Sequence, residues 1–145
     1  MSLIPRQFKW LGLILIVIAG FLYFYFDWYN IRLEVPVFAV YSSFMRTRYF
    51  VFSRTNFTDE LTLLLALAGF MMIVFSKEKN ESDEIKLVRY KSFVQAVFIN
   101  SLFMAFSILF IYGSGFIAML VFNVISVYLI YLIIFAFQRR KSQRK

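Results

Sequence analysis

Gln95, Asn100, Ser101 and Ser107 interrupt one long apolar run, and Asn123 and Ser126 interrupt the next. Any chemistry inside those runs would have to be built from these amides and hydroxyls. They donate and accept hydrogen bonds but carry no charge at physiological pH. Their placement suits two tasks: tying helices together across an apolar interface, or lining a path for an uncharged solute. Neither run holds Asp, Glu, Lys, Arg or His. Ionisable groups within apolar spans are the usual mark of proton relays and ion-coupled carriers, so both are disfavoured. The whole chain contains no Cys and no His. Disulfides, thiol nucleophiles, imidazole catalysis and the common ligands of zinc, haem and iron–sulfur clusters are excluded with them. With no catalytic constellation in view, a non-enzymatic protein that carries no cofactor is expected.

Charged residues gather outside the apolar runs. Arg46, Arg48 and Arg54 are interleaved with Tyr49, Phe50 and Phe52, a mixture suited to a phosphate or to anionic lipid headgroups. Arginines among aromatics are more often interfacial anchors than a ligand site, so headgroup contact is the preferred reading. Glu78, Glu81, Asp83 and Glu84 alternate with Lys77, Lys79 and Lys86. A solvated, self-neutralising loop is expected there rather than a cation site. Asn56-Phe57-Thr58 matches the N-glycosylation triplet, but a helix cap explains it without sugar.

The elements that position these residues must lie in lipid. The chain is 61% hydrophobic and 21% aromatic over 145 residues, against roughly 45–50% apolar in an average soluble protein. A water-soluble domain of that size could not hide so much apolar surface. The expected fold is an all-α membrane protein, a four-helix transmembrane bundle forming one domain. Its spans fall at about 10–26, 61–76, 93–112 and 116–137. Arg6 and Lys9 precede the first run as they would in a secretory signal. The bulky Phe24-Tyr25-Phe26-Asp27-Trp28-Tyr29 offers no small-residue cleavage site and reads instead as an interfacial aromatic belt on a retained span.

Residues 27–60 form an outer segment. Ile31 to Val40 alternates like a strand, and Tyr49 to Phe52 is a second strand-like run. Pro36 restricts the first run to an edge or an irregular path. A short β-like or irregular extracytoplasmic segment is therefore expected between the first two spans. Asn56 or Thr58 caps the second helix, with Asp59 and Glu60 at its positive dipole end. Asn80 or Ser82 caps the third, which begins at Asp83 within the loop 77–92. Residues 138–145 form a basic tail, most simply an anchor to anionic lipid.

Orientation follows from Lys and Arg on alternate sides. Two lie before the first span, five in the loop 77–92 and five in the tail, against four in the outer segment. Both termini are therefore expected in the cytoplasm. The net charge of +8 sits at the ends of spans, where membrane insertion and anionic lipid account for it better than nucleic acid does. Abundant Phe, Ile and Tyr beside scarce Gly indicates an AT-rich genome and points to a bacterial inner membrane.

The short link Gly113-Ser114-Gly115 makes the third and fourth helices antiparallel neighbours. Folding the hairpin at Ser114 puts Asn100 level with Tyr128, and Asn123 level with Ala105, within a turn of Ser101 and Ser107. Gln95, Asn100, Asn123 and Tyr128 are the candidate helix-packing or pore-lining residues. Packing is preferred, because two asparagines at different depths make no continuous path.

Several stretches carry a resemblance: Asn56-Phe57-Thr58-Asp59-Glu60, then Phe75-Ser76-Lys77-Glu78-Lys79-Asn80-Glu81 with Asp83-Glu84, and beyond them Arg89, Asn100, Tyr112-Gly113 and Asn123. Together they resemble a group of small uncharacterised multi-pass inner-membrane proteins of Bacteroidota, over about residues 36–123. The resemblance implies an inner-membrane location and brings no activity with it. The expected function is a non-enzymatic accessory protein that associates with another membrane component or with itself. The alternatives are a small oligomeric transporter or channel for an uncharged solute, and a membrane sensor that uses the outer segment.

Overall fold

The computed structural model describes residues 3–42, 48–79 and 82–142. Among them the chain forms α1 (Gln7–Tyr29), β1 (Glu34–Ser42), β2 (Arg48–Asn56), α2 (Thr58–Val74), α3 (Asp83–Phe110) and α4 (Ser114–Ser142). Three helices, α1, α3 and α4, are long and apolar enough to cross a bilayer. With 17 residues, α2 extends about 26 Å against a hydrocarbon core of roughly 30 Å. The chain divides into two compact units, Ile14–Ala68 and the combination of Met1–Leu13 with Gly69–Lys145.

Within Ile14–Ala68, α1 ends on a left-handed residue, Asn30, at φ 51°. The Asn30 N–H donates to the Asp27 carbonyl at 3.3 Å, and the Ile31 N–H donates to the Phe26 carbonyl at 3.0 Å. This is a Schellman closure with Asn where Gly is commoner, and it satisfies two carbonyls that a helix end leaves open. The turn delivers the chain into β1. Strands β1 and β2 pair antiparallel, from Glu34 opposite Asn56 to Ser42 opposite Arg48. Phe57 N–H donates to the Leu33 carbonyl at 2.9 Å and continues the ladder past the strand ends. Bonded and non-bonded positions alternate along such a pair. Counting from Leu33 and Phe57, Pro36 opposite Arg54 is a non-bonded position. The missing proline N–H therefore costs no ladder bond. The first strand stays regular through Pro36, and the two strand-like runs of the sequence overlap β1 and β2.

α2 starts on an asparagine cap. Asn56 Oδ1 accepts the Thr58 N–H at 3.3 Å and the Thr58 hydroxyl at 2.7 Å. Asp59 and Glu60 occupy the first turn, where the helix dipole favours anions.

In the second unit, Ser82 caps α3, its Oγ accepting the Ile85 N–H at 3.3 Å. α3 ends at Phe110, Ile111 is extended, and Gly113 has φ +71°, a conformation glycine enters without strain. The third helix thus stops short of Tyr112, and the fourth continues beyond Phe137 to Ser142. Val74, Ala96, Tyr131 and Phe135 form the buried core of this unit. Ser92, Ala96 and Ser107 are the buried residues of α3. With Asn100 they trace one helical stripe, and small side chains along such a stripe allow close helix approach. Before α1, Ile4 N–H donates to the Phe75 carbonyl and Lys77 N–H to the Ile4 carbonyl, each at 3.0 Å. These two bonds tie the N-terminal residues to the end of α2. Gly12 also meets α2 closely: a Cβ there would stand 2.6 Å from the Gly69 carbonyl oxygen.

Candidate functional site

The amides of the two long apolar helices meet one another. Asn100 Nδ2 donates to Asn123 Oδ1 at 3.0 Å. The Ser126 hydroxyl lies between Asn100 Oδ1 and the Asn123 carbonyl, holding one proton for two acceptors. This corrects the expected partners, Tyr128 for Asn100 and Ser101 or Ser107 for Asn123. α3 stops at Phe110 and α4 starts at Ser114, so the hairpin pivots near residue 112. Moving the pivot by about two residues shifts every facing pair by about four, or ~6 Å. Phe103 accordingly meets Phe122, and Phe93 meets Tyr131, with ring centroids 6.2 and 6.1 Å apart.

The displaced candidates have other partners. Tyr128 stacks on Phe70, the rings 6.2 Å apart and 16° from parallel. Ser101 and Ser107 donate to carbonyls of their own helix, Val97 and Phe103, both at 2.9 Å. Gln95 Oε1 accepts from Gln138 Nε2 at 2.6 Å, and Ser92 Oγ donates to Gln138 Oε1 at 3.2 Å. The interface thus carries two polar patches, Asn100–Asn123–Ser126 and Ser92–Gln95–Gln138, with the buried Ala96 and Tyr131 belonging to the apolar core. Asn123 Nδ2 is buried without an acceptor among the described residues.

A second constellation escaped sequence reasoning. Glu78, expected in a solvated loop, has a side chain only 8% exposed and binds two cations. Arg139 Nη1 donates to its Oε2 at 2.8 Å, and Lys9 Nζ donates to its Oε1. Burial alone would raise the Glu78 carboxyl. The Lys9 hydrogen bond and charge, with the charges of Arg139 and Arg89, overcome that and hold it below its ordinary value. Arg89 Nη1 donates to the carbonyls of Val74 at 2.9 Å and Ser76 at 3.2 Å. Its guanidinium lies 5.6 Å from the centroid of the Phe135 ring. It thereby places a cation at the negative end of α2. Nothing in the local sequence separates Glu78 from its acidic neighbours, because its two ion-pair partners, Lys9 and Arg139, come from distant segments. The solvated reading fits the next turn, where Lys86 pairs with an exposed Asp83 at 2.8 Å.

Of the three headgroup candidates Arg46, Arg48 and Arg54, Arg46 lies outside the described residues. The backbone of Arg48 pairs with Ser42, and Arg54 is exposed opposite Pro36. Beside them Phe38, Phe50 and Phe52 are 54%, 69% and 76% exposed. Phe38 lies 5.1 Å from Phe52 and 6.3 Å from Phe50, ring to ring. At the base of the hairpin, a cleft of about 360 Å³ is lined by Asp27, Asn30, Arg32 and Asp59, among others. Comparison with protein-family models, with curated proteins and with solved structures finds no match to this chain.

Proposed function

We propose that this chain is a multi-pass protein of a bacterial inner membrane, crossing four times with both termini in the cytoplasm. We further propose that it acts as a non-enzymatic accessory protein, associating with another membrane component or with itself. The twelve-to-four division of Lys and Arg supports the orientation. The Glu78 cluster supports the even number of crossings. Lys9 near the start of α1, Glu78 just past α2 and Arg139 near the end of α4 meet at one carboxylate. Groups that meet there share one side of a bilayer, so the helices between them go out and return, α2 included.

The accessory reading is carried by the partnering of Asn100, Asn123 and Ser126. A solute path needs polar groups turned to a lumen, whereas these turn to the neighbouring helix. The exposed Phe38, Phe50 and Phe52 on the hairpin then offer surface for association. A photo-crosslinking side chain at Phe52, with one at Phe106 on α3 as a lipid-facing comparison, tests this in cells at native expression. A discrete adduct from Phe52 alone is expected. Solute uptake in liposomes that Asn100→Leu abolishes without loss of stability would replace the accessory reading with transport.

A further inference from the structure

The cleft at the hairpin base holds charges of both signs that form no ion pair among the described residues. Its volume of about 360 Å³ falls within the ~300–1,000 Å³ of small-molecule sites. Two caps build its walls: the Schellman turn at Asn30 ends α1 there, and the Asn56–Thr58 cap starts α2 there. Asp27 comes from the last turn of α1, Arg32 from the link to β1, and Asp59 from the first turn of α2. None of these three is ion-paired with another described residue. Tyr23 and Phe26 add apolar wall.

A carboxylate left alone takes N–H donors from a cation. A guanidinium left alone makes paired bonds to a carboxylate or phosphate. Held in one small space, the two kinds of group complement a ligand that bears an ammonium and an anion together. The cleft also lies where α1 leaves its apolar stretch, beside Trp28 and Tyr29, which is the depth of lipid headgroups. We propose that this cleft binds a small zwitterion, a primary ammonium joined to a phosphate or carboxylate. Its source is either a free solute or the headgroup of a lipid such as phosphatidylethanolamine. This goes beyond the accessory reading and stands or falls separately from it.

The test uses the full chain in maltoside micelles, which contain no zwitterion of their own. Unfolding midpoints are read with phosphoethanolamine, glycine, ethanolamine or inorganic phosphate, and with micelles doped by phosphatidylethanolamine or phosphatidylglycerol. Phosphoethanolamine, glycine or phosphatidylethanolamine should raise the midpoint more than ethanolamine, phosphate or phosphatidylglycerol does. A response to the soluble compounds identifies a free ligand, and a response to phosphatidylethanolamine alone identifies the lipid. Asp27→Asn and Arg32→Gln should each weaken that response about tenfold or more, the effect of one charge-assisted bond. Lys141→Gln, far from the cleft in sequence and outside its lining, should leave it intact. Both cleft variants are first compared without ligand to confirm folding. No response to any zwitterion, or one that survives both Asp27→Asn and Arg32→Gln, overturns the proposal.

Discussion

Asn100 and Asn123 face one another across the α3–α4 interface, joined by a 3.0 Å amide hydrogen bond to which the Ser126 hydroxyl is coupled. Two residues that share a bond cannot be removed independently. Replacing either by Leu leaves the other amide without its partner, so the second replacement then removes less. The double variant should cost less than the sum of the single variants by about 0.5–1 kcal/mol. Unfolding of the four proteins in mild detergent measures this coupling. Simple additivity would show that the two amides act separately.

Glu78→Gln removes the charge that Lys9 and Arg139 share. Those partners are 31% and 33% exposed, which moderates the penalty for breaking a buried pair to about 2 kcal/mol. The loss should depend on pH. The folded-state carboxyl is held below its ordinary value, so its contribution is complete above the unfolded-state pKa of about 4.3. That contribution fades as pH falls through the lower folded-state value. Unfolding midpoints of the natural protein and the variant should converge on acidification. Parallel curves from pH 7 down to pH 3 would contradict the clamp.

Gly12→Ala places a methyl group 2.6 Å from the Gly69 carbonyl, closer than van der Waals contact allows. The backbones must separate, at a cost of about 1–3 kcal/mol. Gly20→Ala is the control, because a Cβ there meets nothing within 4 Å. It should be neutral or stabilising by up to about 1 kcal/mol, from helix propensity. Equal effects at the two positions would remove the close approach from the account.

Orientation can be read by labelling, since the chain has no cysteine of its own. Glu34→Cys on the hairpin should react with a membrane-impermeant thiol reagent in intact cells. Lys79→Cys should react only after lysis. A periplasm-active phosphatase fused after Lys145 should be silent. Labelling of Lys79→Cys in intact cells would reverse the topology.

What the amino-acid order determined by itself was whatever has a local cause. The apolar runs mark α1, α3 and α4, and strand-like alternation marks β1 and β2. The Asn56 and Ser82 caps act on groups two or three residues away. Each of these depends on a helix turn or a strand pleat, a distance over which sequence spacing is geometry. Two things were decided only by the tertiary structure. The hairpin register hung on whether helix continued past Phe110, because an extended residue rises about twice as far as a helical one. A small error at the turn therefore reassigned every partner of Asn100 and Asn123. The state of Glu78 hung on Lys9 and Arg139, which lie 69 and 61 residues away in the chain. A carboxylate's environment is set by the charges that folding brings to it, and no spacing along the chain encodes that distance.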